Sequence, residues 1–171
     1  MKKVFLIGYM GVGKTSLGKR LANALDLPFF DLDKEIVLTE SRPIKDIFSK
    51  MGELHFREVE TRILKDFCNR KKSFVLSTGG GAAVSAGNVN AMKDSGIVVW
   101  LDMPVDKILS RLAQGEERPL LEGIEETERK EFVQDHLAER LPHYQKADIR
   151  FDSTNVNAEK LENLVREIHS K

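Results

Sequence analysis

A chain of 171 residues falls in the range of one compact domain, and its 27 basic and 27 acidic side chains cancel. That balance excludes a global field that would draw the chain to nucleic acid or an anionic membrane, so any bound anion must be gripped locally. No apolar run approaches the roughly 20 residues that span a bilayer, and a lone cysteine, Cys68, excludes an internal disulfide, as suits a reducing cytoplasm.

The first element is the apolar run of "KVFLIGY", which reads as a strand. With Lys2 and Lys3 before it, the run imitates a secretory leader, but Gly8, Gly11 and Lys14 interrupt it and no small-residue cleavage pattern precedes the polar "KRLANALD". The strand instead enters "GYMGVGKT", in which Gly8, Gly13, Lys14 and Thr15 satisfy G-x-x-x-x-G-K-[ST]. Glycines let successive backbone amides turn inward on phosphates, and the helix that starts near Gly13 adds its positive end to the same anion. The lysine reaches the outer phosphates and the hydroxyl holds Mg²⁺. An amphipathic helix over "KTSLGKRLANAL" completes the context that the motif requires.

A second strand, "PFFDLD", ends in Asp31 and Asp33 at the carboxyl edge of a sheet, where open α/β folds bind ligands. One carboxylate there can hold a metal's water shell while the other positions an attacking hydroxyl; alternatively Asp33 caps the following helix. From Asp33 to about Arg70 at least two helical pieces, separated by "SRP" and "MGE", exceed what one crossover needs and form a subregion beside the sheet. Cys68, among the apolar neighbours of "ILKDFCNR", is expected in the core. The strand "SFVLSTG" then runs into Gly79, Gly80 and Gly81, a turn with no side chains to hold a ligand's approach off the backbone.

Further along, "GIVVWLDM" is a strand with Trp100 in the core, and "VDKILSRLAQ" is a helix. The charged stretch from Ala113 to Lys130 carries Gly115, Pro119 and Gly123, which break any helix and leave a lid or an ordinary surface loop. A fifth strand, "DIRFDST", precedes a last helix over "NAEKLENLVREIHS". Strands that are apolar without strict alternation are buried on both faces, which points to a parallel sheet covered by helices. The four histidines form no metal-binding pattern. A GTPase switch would need N-K-x-D and D-x-x-G; neither occurs, which leaves a small-molecule or nucleotide kinase as the better class.

Six segments in order carry a closer likeness: "GYMGVGKTS", "FFDLD", "GELHFREVE", "STGGG", "RPLL" and "ERLPHY". Over essentially its whole length the chain resembles the shikimate kinase family. The resemblance implies a P-loop NTPase-like three-layer α/β/α fold in one domain spanning 1–171. Its central sheet is five-stranded and parallel, with a helical substrate-binding subregion over about 33–61 and a lid over about 113–126. The implied reaction moves the ATP γ-phosphate to the 3-hydroxyl of shikimate with Mg²⁺, on the route to chorismate and the aromatic amino acids.

By the same resemblance ATP is bound by Gly11, Val12, Gly13, Lys14, Thr15, Ser16, Arg111 and Arg118, with Arg111 against the adenine and Arg118 brought over the phosphates by the lid. Shikimate contacts Asp33, Arg57, Gly79, Gly80, Gly81 and Arg140, its carboxylate held by the paired hydrogen bonds that a planar guanidinium offers. Lys14, Asp33 and Arg118 are the catalytic residues, and the metal sits on Thr15 with Asp31 behind it through water. Ser77 is a further hydroxyl near that shell. Without the resemblance, Arg57 reads equally as a surface partner of Glu53, four residues before it, and Arg111 and Arg140 as exposed helix arginines. The family's arginine and proline before the last helix are replaced here by "DSTNVNAEK", which leaves the adenine pocket to Asn155, Ala158 and backbone groups. Gluconate kinase, nucleoside monophosphate kinase and a nucleotide-binding protein without turnover remain as other readings, and a monomer in the cytoplasm is expected.

Overall fold

The computed structural model describes residues 3–114, 121, 123–155 and 157–169. Five strands, Lys3–Ile7 (β1), Phe29–Asp31 (β2), Val75–Ser77 (β3), Gly96–Asp102 (β4) and Ile149–Asp152 (β5), form one sheet in the order β2-β3-β1-β4-β5. Every neighbouring pair is parallel. The helices among the described residues are Lys14–Ala24 (α1), Leu32–Glu40 (α2), Ile44–Asn69 (α3), Asn88–Ser95 (α4), Val105–Ala113 (α5), Arg129–Tyr144 (α6) and Ala158–His169 (α7). All five expected strands are present.

Both faces of the sheet are buried, which explains why its strands read as unbroken apolar runs. Val4 and Leu6 of β1 pack with Ile97, Val99 and Leu101 of β4 against Leu17, Leu21, Ile108, Leu161 and Val165 from α1, α5 and α7. Phe5, Ile7, Val98 and Trp100 face the other way, into Ile63, Leu64, Phe67, Val89 and Met92 from α3 and α4. Cys68 lies at the edge of this second layer, half-buried rather than enclosed, because α3 is leaving the core by its last turn, where Asn69 is exposed. Burial still pushes its thiol pKa up.

Because all strands point the same way, the segments after β1, β2 and β3 gather at one carboxyl edge. The chain moves from β1 outward to β2, returns to β3, and only then crosses to β4. That reversal opens a crevice beside β1, the position at which such sheets take ligands. The extra helices after β2 are α2 and α3, joined through residues 41–43. Helix α3 is itself interrupted at Gly52, whose φ of 84° and ψ of 166° lie outside helical geometry. Two lines of sequence are thereby placed as expected, "SRP" between helices and "MGE" within a break.

Candidate active site

The loop between β1 and α1 turns on left-handed glycines, of which Gly13 (φ 90°) stands at the N-cap of α1. No side chain caps that helix, so its first amides are turned toward whatever anion occupies the loop. Lys14 Nζ donates to the carbonyl oxygens of Gly8 at 2.8 Å and Tyr9 at 2.7 Å, which folds the cation back over its own loop. Thr15 Oγ1 donates to Asp31 Oδ2 at 2.8 Å. This is a hard-oxygen pair suited to Mg²⁺, which binds through one or two protein oxygens and keeps several waters. The buried hydroxyl of Ser77 lines the same space, and the described residues hold no group of three or more His, Cys, Asp or Glu placed for a softer metal.

A cleft of about 370 Å³ joins these groups to the second strand and the glycine turn. Gly11, Gly13, Lys14, Thr15 and Ser16 line one side, Asp31, Asp33, Ser77, Gly79 and Gly80 another, and Arg111 closes a third. Val12 is buried beneath the loop. Strand β2 ends at Asp31, which occupies the N-cap position of α2, while Asp33 lies in the first helical turn. The alternative of Asp33 as a cap is therefore set aside: the strand is three residues shorter than "PFFDLD", ending two residues before Asp33, and the cap position itself makes no side-chain bond to the helix.

Arg57 and Arg140 lie outside the lining of that cleft, on α3 and α6. A Cβ at Gly81 would fall 2.5 Å from both terminal nitrogens of Arg57, so the guanidinium as placed lies directly against this glycine and would have to swing aside for a side chain there. Gly79 lies against the acidic groups, where a Cβ would be 2.9 Å from Asp33 Oδ1 and 3.0 Å from Glu60 Oε1. Arg57 donates to Glu60 at 2.8 Å and more loosely to Glu53 at 3.2 and 3.3 Å. The surface pair with Glu53 exists, but the tighter partner is a carboxylate with no exposed surface.

Burial raises the Glu60 pKa, opposed by Arg57 and reinforced by the charge of Asp33. Burial, the largest single influence on Arg57, would weaken its cationic form, yet Glu60 and Glu53 together outweigh it and raise its pKa. One oxygen, Glu60 Oε1, has no hydrogen-bond partner among the described residues.

Helix α6 reaches the turn through Tyr144, whose hydroxyl donates to the Gly80 carbonyl at 2.6 Å. Burial drives the Tyr144 pKa up, while Arg140 and Arg57 both pull it down, so the two arginines face this phenol from α6 and α3. Arg140 Nη1 donates to the His136 carbonyl at 3.2 Å. Arg111, on α5, is half-buried: its guanidinium reaches toward the carbonyls of Ser153 and Thr154 at 3.4 and 3.5 Å, beside Gly13. Arg118 lies outside the described residues, as does half of the expected lid.

A family model described as Shikimate kinase matches residues 10–170. The chain belongs to the shikimate kinase family. The shikimate kinase of Persephonella marina is 40% identical over 153 residues, covering 90% of each chain. That of Thermodesulfovibrio yellowstonii is 38% identical over 98% of this chain and 95% of its own. Among solved structures, the shikimate kinase of Bacteroides thetaiotaomicron superposes with a TM-score of 0.89 at 33% identity, covering 99% of both chains. The Acinetobacter baumannii shikimate kinase, solved in complex with shikimate, gives 0.88 at 37% identity over 100% of this chain and 96% of its own.

Four side chains of this shikimate kinase family member escape a reading by residue type. Tyr9, Tyr144 and His136 show their partners only in three dimensions. Glu60 left a trace in the sequence: Phe56, Glu60, Ile63 and Phe67 share one face of α3, which puts a carboxylate in the middle of an apolar stripe.

Proposed function

We propose that the protein transfers the γ-phosphate of ATP to the 3-hydroxyl of shikimate, giving shikimate 3-phosphate and ADP, as a Mg²⁺-dependent step toward chorismate. The observation that carries this reading is the meeting of Asp33, Arg57 and the glycine turn beside a phosphate loop. A hydroxyl-positioning carboxylate and a carboxylate-binding guanidinium both stand against one glycine turn, the pair of groups that a small hydroxy acid requires.

In this reading the amides of Gly11 to Ser16 cradle the phosphates, and Lys14 leaves its two carbonyl partners for the β- and γ-phosphates. A bound Mg²⁺ would supply positive charge to offset that of the phosphates. Thr15 and Asp31 would hold it. Asp33 accepts the hydrogen bond of the attacking hydroxyl and aims its oxygen at the phosphorus, while Arg57 and Arg140 hold the carboxylate at the far end of the ring. Arg118 joins Lys14 over the transferring group when the lid closes. No helix among the described residues is long and apolar enough to cross a membrane, and we expect a cytoplasmic monomer.

The test is ADP release from Mg·ATP with shikimate, gluconate, AMP or no acceptor. Release stimulated by shikimate alone, and lost in Lys14→Ala, is expected. Shikimate-independent release, or stimulation by another acceptor instead, would overturn the assignment.

The adenine side has its own consequence. Arg111 packs against backbone carbonyls of the β5–α7 connection rather than offering a side chain that reads the base edge. Discrimination between ATP and GTP should therefore stay below about 100-fold in kcat/KM, since the rejection of about 10⁴ comes only from sites that hydrogen-bond the discriminating group. Initial rates with each nucleotide at saturating shikimate check this.

A further inference from the structure

We propose that the hydrogen bond between Tyr9 and His136 is a strut that sets the helix carrying Arg140 against the phosphate loop, making both side chains positioning residues for the acceptor carboxylate. This rests on the reading of Arg140 as a carboxylate ligand.

Tyr9 belongs to the phosphate loop by its backbone and to the acceptor side by its side chain. Its carbonyl receives Lys14 Nζ at 2.7 Å. Its phenol, 2% exposed, crosses to α6 and meets His136 Nδ1 at 2.8 Å, a link between positions 127 residues apart. The two rings stand edge to face, with centroids 5.6 Å apart. Phe132 lies tilted against the His136 ring from within α6 at 5.4 Å and limits its rotation. Arg140, one turn further on, is tied to the same histidine through its carbonyl and lies 5.9 Å from the Tyr9 ring centroid.

Of the 16 residues of α6, Val133 and Tyr144 are buried and Leu137 and Leu141 between them pack partly buried against the core. That apolar stripe seats the helix, while Arg140, half-buried beside it, takes its setting from the polar and aromatic groups around it. The Tyr144 hydroxyl fixes one end against Gly80, and Tyr9 fixes the turn just before Arg140. Protonation states agree with the bond. Burial lifts the Tyr9 phenol to about 12, so it keeps its proton to donate. Burial and Arg140 push the His136 pKa down, which favours a neutral ring with a nitrogen free to accept.

Removing only the hydroxyl separates this role from folding and from chemistry, because Tyr9→Phe keeps the ring and the carbonyl that receives Lys14. With the full chain, Tyr9→Phe is expected to raise KM for shikimate roughly three- to tenfold, with kcat and KM for ATP changed less than about twofold. His136→Phe removes the acceptor from the other end and must give the same split. In an Arg140→Ala background Tyr9→Phe should have no further effect, because the strut acts through that guanidinium. An unchanged shikimate KM in Tyr9→Phe, or the same rise with and without Arg140, overturns the proposal. If Arg140→Ala itself leaves KM for shikimate unchanged, the carboxylate reading of Arg140 fails, and the strut falls with it.

Discussion

Asp33→Asn is expected to lower kcat by about 10²- to 10⁴-fold, the range for losing a positioned general base or its equivalent in hydroxyl orientation. Shikimate binding should survive. Asparagine preserves the side chain's shape on the first turn of α2 and its place in the cleft wall, while it loses the negative charge that holds a hydroxyl proton. At one neighbour the substitution is favourable, because Asp33 is a like charge that raises the pKa of buried Glu60. Neutralising it relieves a repulsion. Titration of shikimate onto the variant, alongside steady-state ADP release, separates the two terms: retained binding with lost turnover is the expected pair. A variant with near-normal kcat would remove Asp33 from the chemistry and turn attention to Asp31 or Ser77 on the same cleft wall.

The features legible in the sequence are those that a local pattern fixes. Strand β1 shows as an unbroken apolar run because Val4 and Leu6 enter one core layer and Phe5 and Ile7 the other. The phosphate loop shows because the chemistry of an anion cradle is carried by consecutive backbone amides. Arg57 was equally legible as a surface ion pair, and the structure contains that pair with Glu53 as well as the buried one with Glu60. The contact of its guanidinium with Gly81, 24 residues on, is one that no local pattern announces. Asp33 illustrates a smaller shift: helix α2 begins one residue after β2 ends, so the carboxylate expected at a strand edge sits on a helical turn facing the same cleft. Tyr9 and His136 were invisible for a different reason. A tyrosine inside a glycine-rich loop and a histidine on a polar helix carry no signal of each other across 127 residues.

Arg57→Ala should cost both stability and acceptor binding, and the two losses can be pulled apart. The guanidinium, 27% exposed, is the partner of a carboxylate that has no exposed surface. Truncating it leaves Glu60 buried beside Asp33 with nothing to offset its charge, a change that costs about 3 kcal/mol, the lower end for breaking a buried pair because water reaches the guanidinium side. The cost should grow with pH. Burial already holds the Glu60 pKa above its ordinary value, so the native state binds more protons than the unfolded chain between those two values, and stability falls as pH rises through that window. Arg57 is the main influence pulling the pKa back down, so its loss widens the window upward. Urea denaturation at pH 5 and pH 8 should show Arg57→Ala more damaging at the higher value. Adding Glu60→Gln removes the titrating group, and the double variant should recover most of the stability and lose the added slope. Its KM for shikimate should stay raised by roughly 10- to 100-fold, the worth of charge-assisted bonds to a carboxylate. If the second substitution restored acceptor binding along with stability, Arg57 would be only the counter-charge of Glu60, and the carboxylate of shikimate would have to be held by Arg140 without it.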